Sequence, residues 1–310
     1  MGLATMVVLR SRTQRITRAL RVFAIAYVCG LAMLMLLERA LIYPIPDAGL
    51  GDWNPAAIEH EDVWLKASDG TRLHGWYLPQ ANSRTAIVYF HGNGEDVSWC
   101  GPALSRWGRQ LGSSALVMNY RGYGKSEGKP GEAALIEDGV LAANWLAKRS
   151  GLKPEQLVLW GRSIGGGVAA GVAQSIDPQA IIMECSFDSL AGVAATHVRW
   201  APVRWLMSNQ YRSADRLSGY KGQFLQWHGG LDAIVPLSSA ERLFASVGST
   251  AKRFVLTQDR GHNDESPPAF NDAVADLFDR LNDRLEFPET VTTRSTLPAD
   301  RRATLPKRGG

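Results

Sequence analysis

A serine stands between two glycines at Gly161-Arg162-Ser163-Ile164-Gly165. The apolar run Leu157-Val158-Leu159-Trp160 precedes it, and Gly166-Gly167-Val168-Ala169-Ala170-Gly171 follows. The spacing is G-x-S-x-G, the pattern of a nucleophile held on a sharp strand-to-helix turn. Such a turn strains the serine backbone, and glycines two positions to either side avoid collision. It lifts the hydroxyl clear of the sheet and aims the unpaired N–H groups of a helix start at the reaction centre. A glycine-rich turn with an exposed serine reads the same way, so the pattern gains its meaning from partners elsewhere.

A serine needs a base, and the base needs a group to orient it. His262 lies in Asp259-Arg260-Gly261-His262-Asn263-Asp264, after the last strong strand pattern. Asp232 lies in His228-Gly229-Gly230-Leu231-Asp232-Ala233-Ile234-Val235-Pro236, after the strand before it. A lone His or Asp is more often structural. Three such residues at the ends of three strands, in the order Ser163, Asp232, His262, form a far more specific signal. The chemistry is acyl transfer, which also requires two N–H donors for an oxyanion. The backbone of Ile164, just after the serine, is one candidate. Asn93 in the loop His91-Gly92-Asn93-Gly94 is the other, with Gly94 as its alternative. His91 and His228 read as structural, and His60, His74 and His197 lack a partner motif. Cys29, Cys100 and Cys185 show no C-x-x-C spacing, which argues against zinc. Cys100 and Cys185 read most simply as buried thiols, with a disulfide between them left open.

These residues must be held by strands. Glu61 to Lys66 and Arg72 to Leu78 read as two strands around the turn Ala67-Ser68-Asp69-Gly70. Thr85 to Phe90, Ser114 to Asn119, Leu157 onward, Ala180 to Glu184, Gln223 to Trp227 and Lys252 to Leu256 read as buried strands. Helical patterns fall at Val97 to Gln110, Glu132 to Lys148, Pro236 to Val247 and Pro267 to Leu285. The alternation predicts an α/β fold, a mostly parallel sheet covered by helices on both faces. In such sheets sites form at the carboxyl ends of strands, where every suggestive motif here falls. Ser186 to Tyr220 is an insertion. Val198-Arg199-Trp200-Ala201-Pro202-Val203-Arg204-Trp205-Leu206-Met207 reads equally as a lid near a bilayer or as a crossover helix packed on the core.

The ends differ from this body. Arg10, Arg12, Arg15, Arg18 and Arg21 stand without an acidic residue, and the uncharged apolar run Val22 to Leu37 follows. No good cleavage site follows the run, and Val28 before Cys29 does not suit a lipoprotein site. The expectation is an uncleaved signal anchor over 1–43, single-pass, with the body on the non-cytoplasmic side. The catalytic domain is expected over 44–286, and a disordered basic tail over 287–310. In 310 residues with 45% hydrophobic and 21% charged side chains, a sizeable core is expected. The net charge of +4 gathers largely at the two ends, which argues against a nucleic-acid face on the body.

Taken together, these motifs resemble the α/β-hydrolase superfamily. The likeness is strongest to its small membrane-anchored serine hydrolases, also labelled serine aminopeptidase-like. It rests on His91-Gly92-Asn93-Gly94, Tyr120-Arg121-Gly122-Tyr123-Gly124-Lys125-Ser126-Glu127-Gly128, Gly161-Arg162-Ser163-Ile164-Gly165, Asp232 with Val235-Pro236, and Gly261-His262-Asn263-Asp264. Glu38-Arg39-Ala40-Leu41-Ile42-Tyr43-Pro44 after the anchor is also similar to that group. The resemblance implies an eight-stranded sheet with an antiparallel second strand. It also implies a lipid, acyl-ester or acyl-thioester substrate, with no metal or organic cofactor. A serine peptidase and a non-catalytic binding protein on the same fold are the competing readings. Asn119 stands where many relatives carry Asp, and Glu95-Asp96 departs from the small residues common in that loop.

Overall fold

The computed structural model describes residues 2–47, 49, 51–283 and 291–295. A long helix, α1 (Gly2–Ile42), precedes the body. The body then runs β1 (Glu61–Lys66), β2 (Arg72–Leu78), β3 (Ala86–Phe90), α2 (Val97–Leu111), β4 (Ser114–Met118), α3 (Glu132–Ser150), β5 (Leu157–Arg162) and α4 (Ile164–Ile176). It continues with β6 (Ala180–Glu184), three short helices α5 (Leu190–His197), α6 (Val203–Leu206) and α7 (Ser213–Leu217), then β7 (Gln223–Gly229), α8 (Leu237–Ser246), β8 (Lys252–Thr257), α9 (Pro268–Asp283) and β9 (Val291–Ser295).

The strands form one sheet in the order β1-β2-β4-β3-β5-β6-β7-β8-β9. β2 runs antiparallel to both neighbours, and every pairing from β4 onward is parallel. The eight expected strands are therefore present with the expected antiparallel second strand. A ninth corrects the reading of 287–310 as tail: Val291–Ser295 pairs in parallel with β8, Arg253 opposite Val291. Its Thr-Thr-Arg-Ser sequence lacks the apolar run that marks the other strands. The remainder of that stretch, 287–290 and 296–310, lies outside the described residues.

Buried Val, Ile and Leu in β3, β5 and β6 reflect strands covered on both faces. On one face α3, α4, α7 and α8 pack through Leu135, Leu146, Val168, Leu217 and Leu243. On the other, α2 and α9 pack through Leu104, Phe270, Val274 and Leu277 around Trp160 and Trp227. The insertion packs in two places. α7 buries Leu217 in the core, while α5 and α6 lie over the carboxyl ends of the strands.

α1 does not stop at the body's edge. Its last turn offers Glu38, whose carboxylate accepts the N–H groups of Ser208 (3.0 Å) and Asn209 (2.8 Å) and the Asn209 amide (2.8 Å). Tyr43, buried just beyond, donates to Asn209 Oδ1 or shares a hydrogen bond with Tyr211 at 2.8 Å. The Glu38-to-Pro44 motif therefore seats the helix on the segment that leads into α7.

Candidate active site

β5 ends at Arg162 and α4 starts at Ile164, so Ser163 carries the whole change of direction. Its backbone adopts φ 52° and ψ −119°, which an L residue reaches only under strain. Close packing holds it there. A Cβ on Gly165 would lie 2.0 Å from the Phe90 carbonyl oxygen, and one on Gly161 would lie 2.4 Å from that of Gly165. No side chain fits at either place. The Ser163 N–H donates to Glu184 O at 2.8 Å, and its own carbonyl accepts Gly166 N–H and the Ser186 hydroxyl.

Asp232 and His262 arrive on the loops after β7 and β8. His262 Nε2 lies 3.0 Å from Ser163 Oγ, and His262 Nδ1 lies 2.7 Å from Asp232 Oδ2. Asp232 Oδ1 accepts Ile234 N–H at 2.9 Å and Val235 N–H at 2.7 Å, which orients the carboxylate. Burial acts to raise the Asp232 pKa. The hydrogen bonds from His262 and Val235 outweigh it and hold the group below the ordinary carboxylate value. An ionised Asp232 accepts from Nδ1–H, which leaves Nε2 as an acceptor facing the serine hydroxyl.

Ser163 and His262 open into a cavity of about 540 Å³. Ile164, Gly92 and Asn93 line it beside them, so the two expected oxyanion residues stand at the nucleophile. As the first residue of α4, Ile164 has no partner for its N–H within the helix. Gly92 N–H is already donated to Glu95 Oε2 at 2.9 Å, which leaves the next residues of the loop to face the cavity. Asn93 is clamped through its side chain: the amide donates to the Ile42 carbonyl at the end of α1, and Oδ1 accepts the Tyr123 hydroxyl at 2.8 Å.

The family described as Serine aminopeptidase, S33 matches residues 81–190. The uncharacterized protein Rv2307c of Mycobacterium tuberculosis is 36% identical over 258 residues, covering 80% of this chain and 89% of that protein. The chain belongs to the α/β-hydrolase superfamily. The α/β hydrolase domain-containing protein WAV2 of Arabidopsis thaliana is 27% identical over 245 residues, covering 72% of this hydrolase and 79% of that protein. Among solved structures, an esterase of Pyrococcus furiosus shares the fold with TM-score 0.62 at 17% identity, covering 77% of this chain and 96% of that one.

Two residues of this hydrolase's site escape a motif reading. Arg162, the free position of G-x-S-x-G, pairs with Glu95 and donates to the His262 carbonyl at 3.2 Å and to Asn263 Oδ1 at 3.4 Å. One guanidinium thus ties together the turn carrying Ser163, the loop carrying Asn93 and the loop carrying His262. The Glu95 departure from small residues is half of that clamp. Glu95→Ala frees Gly92 N–H and Arg162 together, and kcat on a short ester is expected to fall about tenfold. KM changes less than twofold, and Glu95→Gln, which keeps the acceptor for Gly92, recovers part of the loss. Steady-state kinetics of both variants check this.

The other histidines, His91 and His228 read as structural and His60, His74 and His197 without a partner motif, are each hydrogen-bonded outside the triad. Tyr120 donates its N–H to His91 Nε2 at 3.4 Å, which makes Nδ1 the donor to Gly92 O at 2.8 Å. His228 faces Val235 O at 3.0 Å. His74 bridges Asp62 (2.6 Å) and Asn119 (3.2 Å), and Asn119 Oδ1 accepts Val97 N–H at the start of α2. Asn119 serves both because an amide donates and accepts, which a carboxylate cannot do. His60 turns back on Ile58 O and His197 meets Ile234 O. All three cysteines are free. Cys185, His228 and Asp232 bring one ligand atom each within 4.8 Å of one another. Burial pushes the Cys185 thiol pKa up, and Asp232 is engaged with His262, so this trio suits packing better than a metal.

A second hollow of about 710 Å³ lies behind Arg162, lined by Glu95, Glu184, Trp99 and Trp160 rather than by Ser163. Burial pushes Glu184 up to about 7, against the pull of Arg162 and the Trp160 indole donor. Folded Glu184 keeps a proton that the unfolded chain has lost. The associated stability is fully present below the ordinary value of 4.5 and is lost as pH rises to about 7. Wild type is therefore expected to lose about 3 kcal/mol relative to Glu184→Gln across that window. Chemical denaturation of both proteins at the two ends of the window measures it.

Proposed function

We propose that this hydrolase cleaves a carboxylic ester or thioester of a lipid or other acyl substrate, with Ser163 as nucleophile. His262 Nε2 takes the Ser163 proton as Oγ attacks the carbonyl carbon. The oxyanion is held by the N–H groups of Ile164 and Asn93. As the tetrahedral adduct collapses, His262 returns the proton to the leaving alcohol or thiol, and an acyl-enzyme remains on Ser163. Water, deprotonated by His262, then releases the carboxylic acid and restores the serine. Asp232 holds His262 in the tautomer this requires and offsets the charge it gains. The sequence needs no metal or organic cofactor.

The observation that carries the reading is the unbroken hydrogen-bonded series Asp232, His262, Ser163 at the mouth of a mostly apolar cavity. The cavity also bears on the peptidase alternative. Among its described lining residues the carboxylate is Glu38, and its oxygens are taken by Ser208 and Asn209. An aminopeptidase needs such a group for the substrate's α-amine, so an acyl substrate is favoured. The structural likeness to a named esterase agrees with this choice. α1, long and apolar enough over Arg12–Ile42 to cross a bilayer, supports a single-pass anchor. Its arginines favour a cytoplasmic N-terminus, with the body over 44–286 on the other side.

A fluorophosphonate probe tests the chemistry. Labelling of wild type and its loss in Ser163→Ala is the expected result. Equal labelling of Ser163→Ala removes the assignment.

A further inference from the structure

α1 is more than a tether. Leu34, Glu38, Leu41 and Ile42 form part of the wall of the cavity that holds Ser163 and His262. Val193, Val198, Val203 and Met207 of the α5–α6 segment line the same cavity. That segment also climbs α1. The Trp200 ring packs edge-on against Tyr27 with centroids 6.1 Å apart, and Tyr27 donates its hydroxyl to Trp200 O at 3.2 Å. Gly30 lies beside the indole, where a Cβ would be in ordinary contact with Cη2 at 3.5 Å.

Tyr27 and Gly30 sit within the uncharged run Val22 to Leu37. At 1.5 Å per residue, Tyr27 lies about 22 Å along the helix from Ile42. A helix that crosses a bilayer holds this run in the hydrocarbon, roughly 30 Å thick. Trp200, touching Tyr27 and Gly30, is then at acyl-chain depth. Its exposed neighbours fit the same surroundings. Trp200 is 55% and Trp205 87% exposed, and Leu231 and Ile234, which flank Asp232, are 66% and 48% exposed. Large exposed apolar side chains on segments that border the cavity, through Val198, Val203, Met207 and Ile234, mark an interaction surface.

We propose that the α5–α6 segment and the Leu231–Ile234 loop are immersed in the bilayer that α1 crosses, and that the cavity opens sideways onto the acyl chains. This inference rests on the serine-hydrolase and anchor readings above and narrows them. The substrate is an acyl lipid resident in the bilayer, which reaches Ser163 without leaving the membrane. The cavity wall supplied by α1 and the wall supplied by the insertion receive its chain.

The test uses the full chain reconstituted in phosphatidylcholine and phosphatidylglycerol vesicles whose acyl chains carry bromine, a contact quencher of tryptophan fluorescence. The double variant Trp200→Phe and Trp205→Phe is expected to lose most of the bromine-dependent quenching of wild type. Unchanged quenching places these side chains outside the hydrocarbon and overturns the proposal, whatever the chemistry of Ser163. A second arm reads substrate access. Trp205→Asp is expected to lower hydrolysis of a long-chain acylglycerol held in the vesicles by about tenfold. Soluble p-nitrophenyl butyrate should change less than twofold in the same variant. Equal effects on the two esters overturn sideways entry. A wild type that hydrolyses neither ester removes the hydrolase reading and the lipid substrate with it, while the quenching still decides whether the segment is immersed.

Discussion

Asp232→Asn lowers kcat by about 10⁴-fold while the protein stays folded. The carboxylate has two distinct tasks at its two oxygens. Oδ1 fastens the loop through Ile234 and Val235 N–H groups, and Oδ2 receives the proton on His262 Nδ1. Asparagine can meet only one of these demands at a time. With its oxygen toward the loop, its amide faces His262 Nδ1 and drives the ring proton to Nε2. The ring then presents N–H to Ser163 Oγ across the 3.0 Å contact and has no lone pair for the serine proton. Turning the amide over restores the tautomer but sets two donors against the loop N–H groups. The loss falls on kcat because ester binding does not use Asp232. The aspartate pKa lies below its ordinary value, so Asp232 itself stays ionised in mild acid. Steady-state kinetics with circular dichroism as a folding control check this, and a fall smaller than tenfold contradicts the role of Asp232.

The largest structural effect is expected at Gly165. Its added Cβ would sit 2.0 Å from Phe90 O and 2.8 Å from His91 O, both backbone atoms at the end of β3. No rotamer change relieves a clash with backbone, so α4 must move away from the sheet or the β3 loop must shift. Either movement opens the packing of Val168 and Ala169, fully buried beneath. Gly165→Ala is expected to cost about 3 kcal/mol or more, a large share of ordinary domain stability. Thermal unfolding of the two proteins in the same detergent measures it. A melting temperature within a degree of wild type contradicts the tight approach of α4 to β3.

The difference between these two sites and the rest follows from the range of the forces involved. Ser163, Asp232 and His262 are legible in sequence because each ends a buried apolar run and is set off by local glycines or Pro236. Gly165 itself is legible from the spacing of the strained turn, but the Phe90 backbone it packs against lies on another strand and is not. Arg162 and Glu95 are not, because G-x-S-x-G leaves its second position free and their pairing spans 67 residues. The join between α1 and the body is also silent. Apolar periodicity marks α1 as membrane-length, but lipid and protein ask for the same residues. Nothing local announces that Leu34 and Ile42 face a cavity or that Trp200 reaches Tyr27 across 173 residues. β9 escapes because Val291-Thr292-Thr293-Arg294-Ser295 pairs through its backbone with β8 and carries one apolar residue. The sheet, by contrast, is read almost strand for strand, because strands buried on both faces must be continuously apolar.

An acyl-enzyme on Ser163 is the intermediate on which the proposed reaction depends. Rapid mixing of enzyme with excess p-nitrophenyl butyrate, followed by acid quench and peptide mass spectrometry, addresses it directly. The expected result is a burst of nitrophenol no larger than the enzyme present, with a butyryl group on the peptide that contains Ser163. Turnover without a butyryl adduct at Ser163, or with the adduct on another residue, would contradict it.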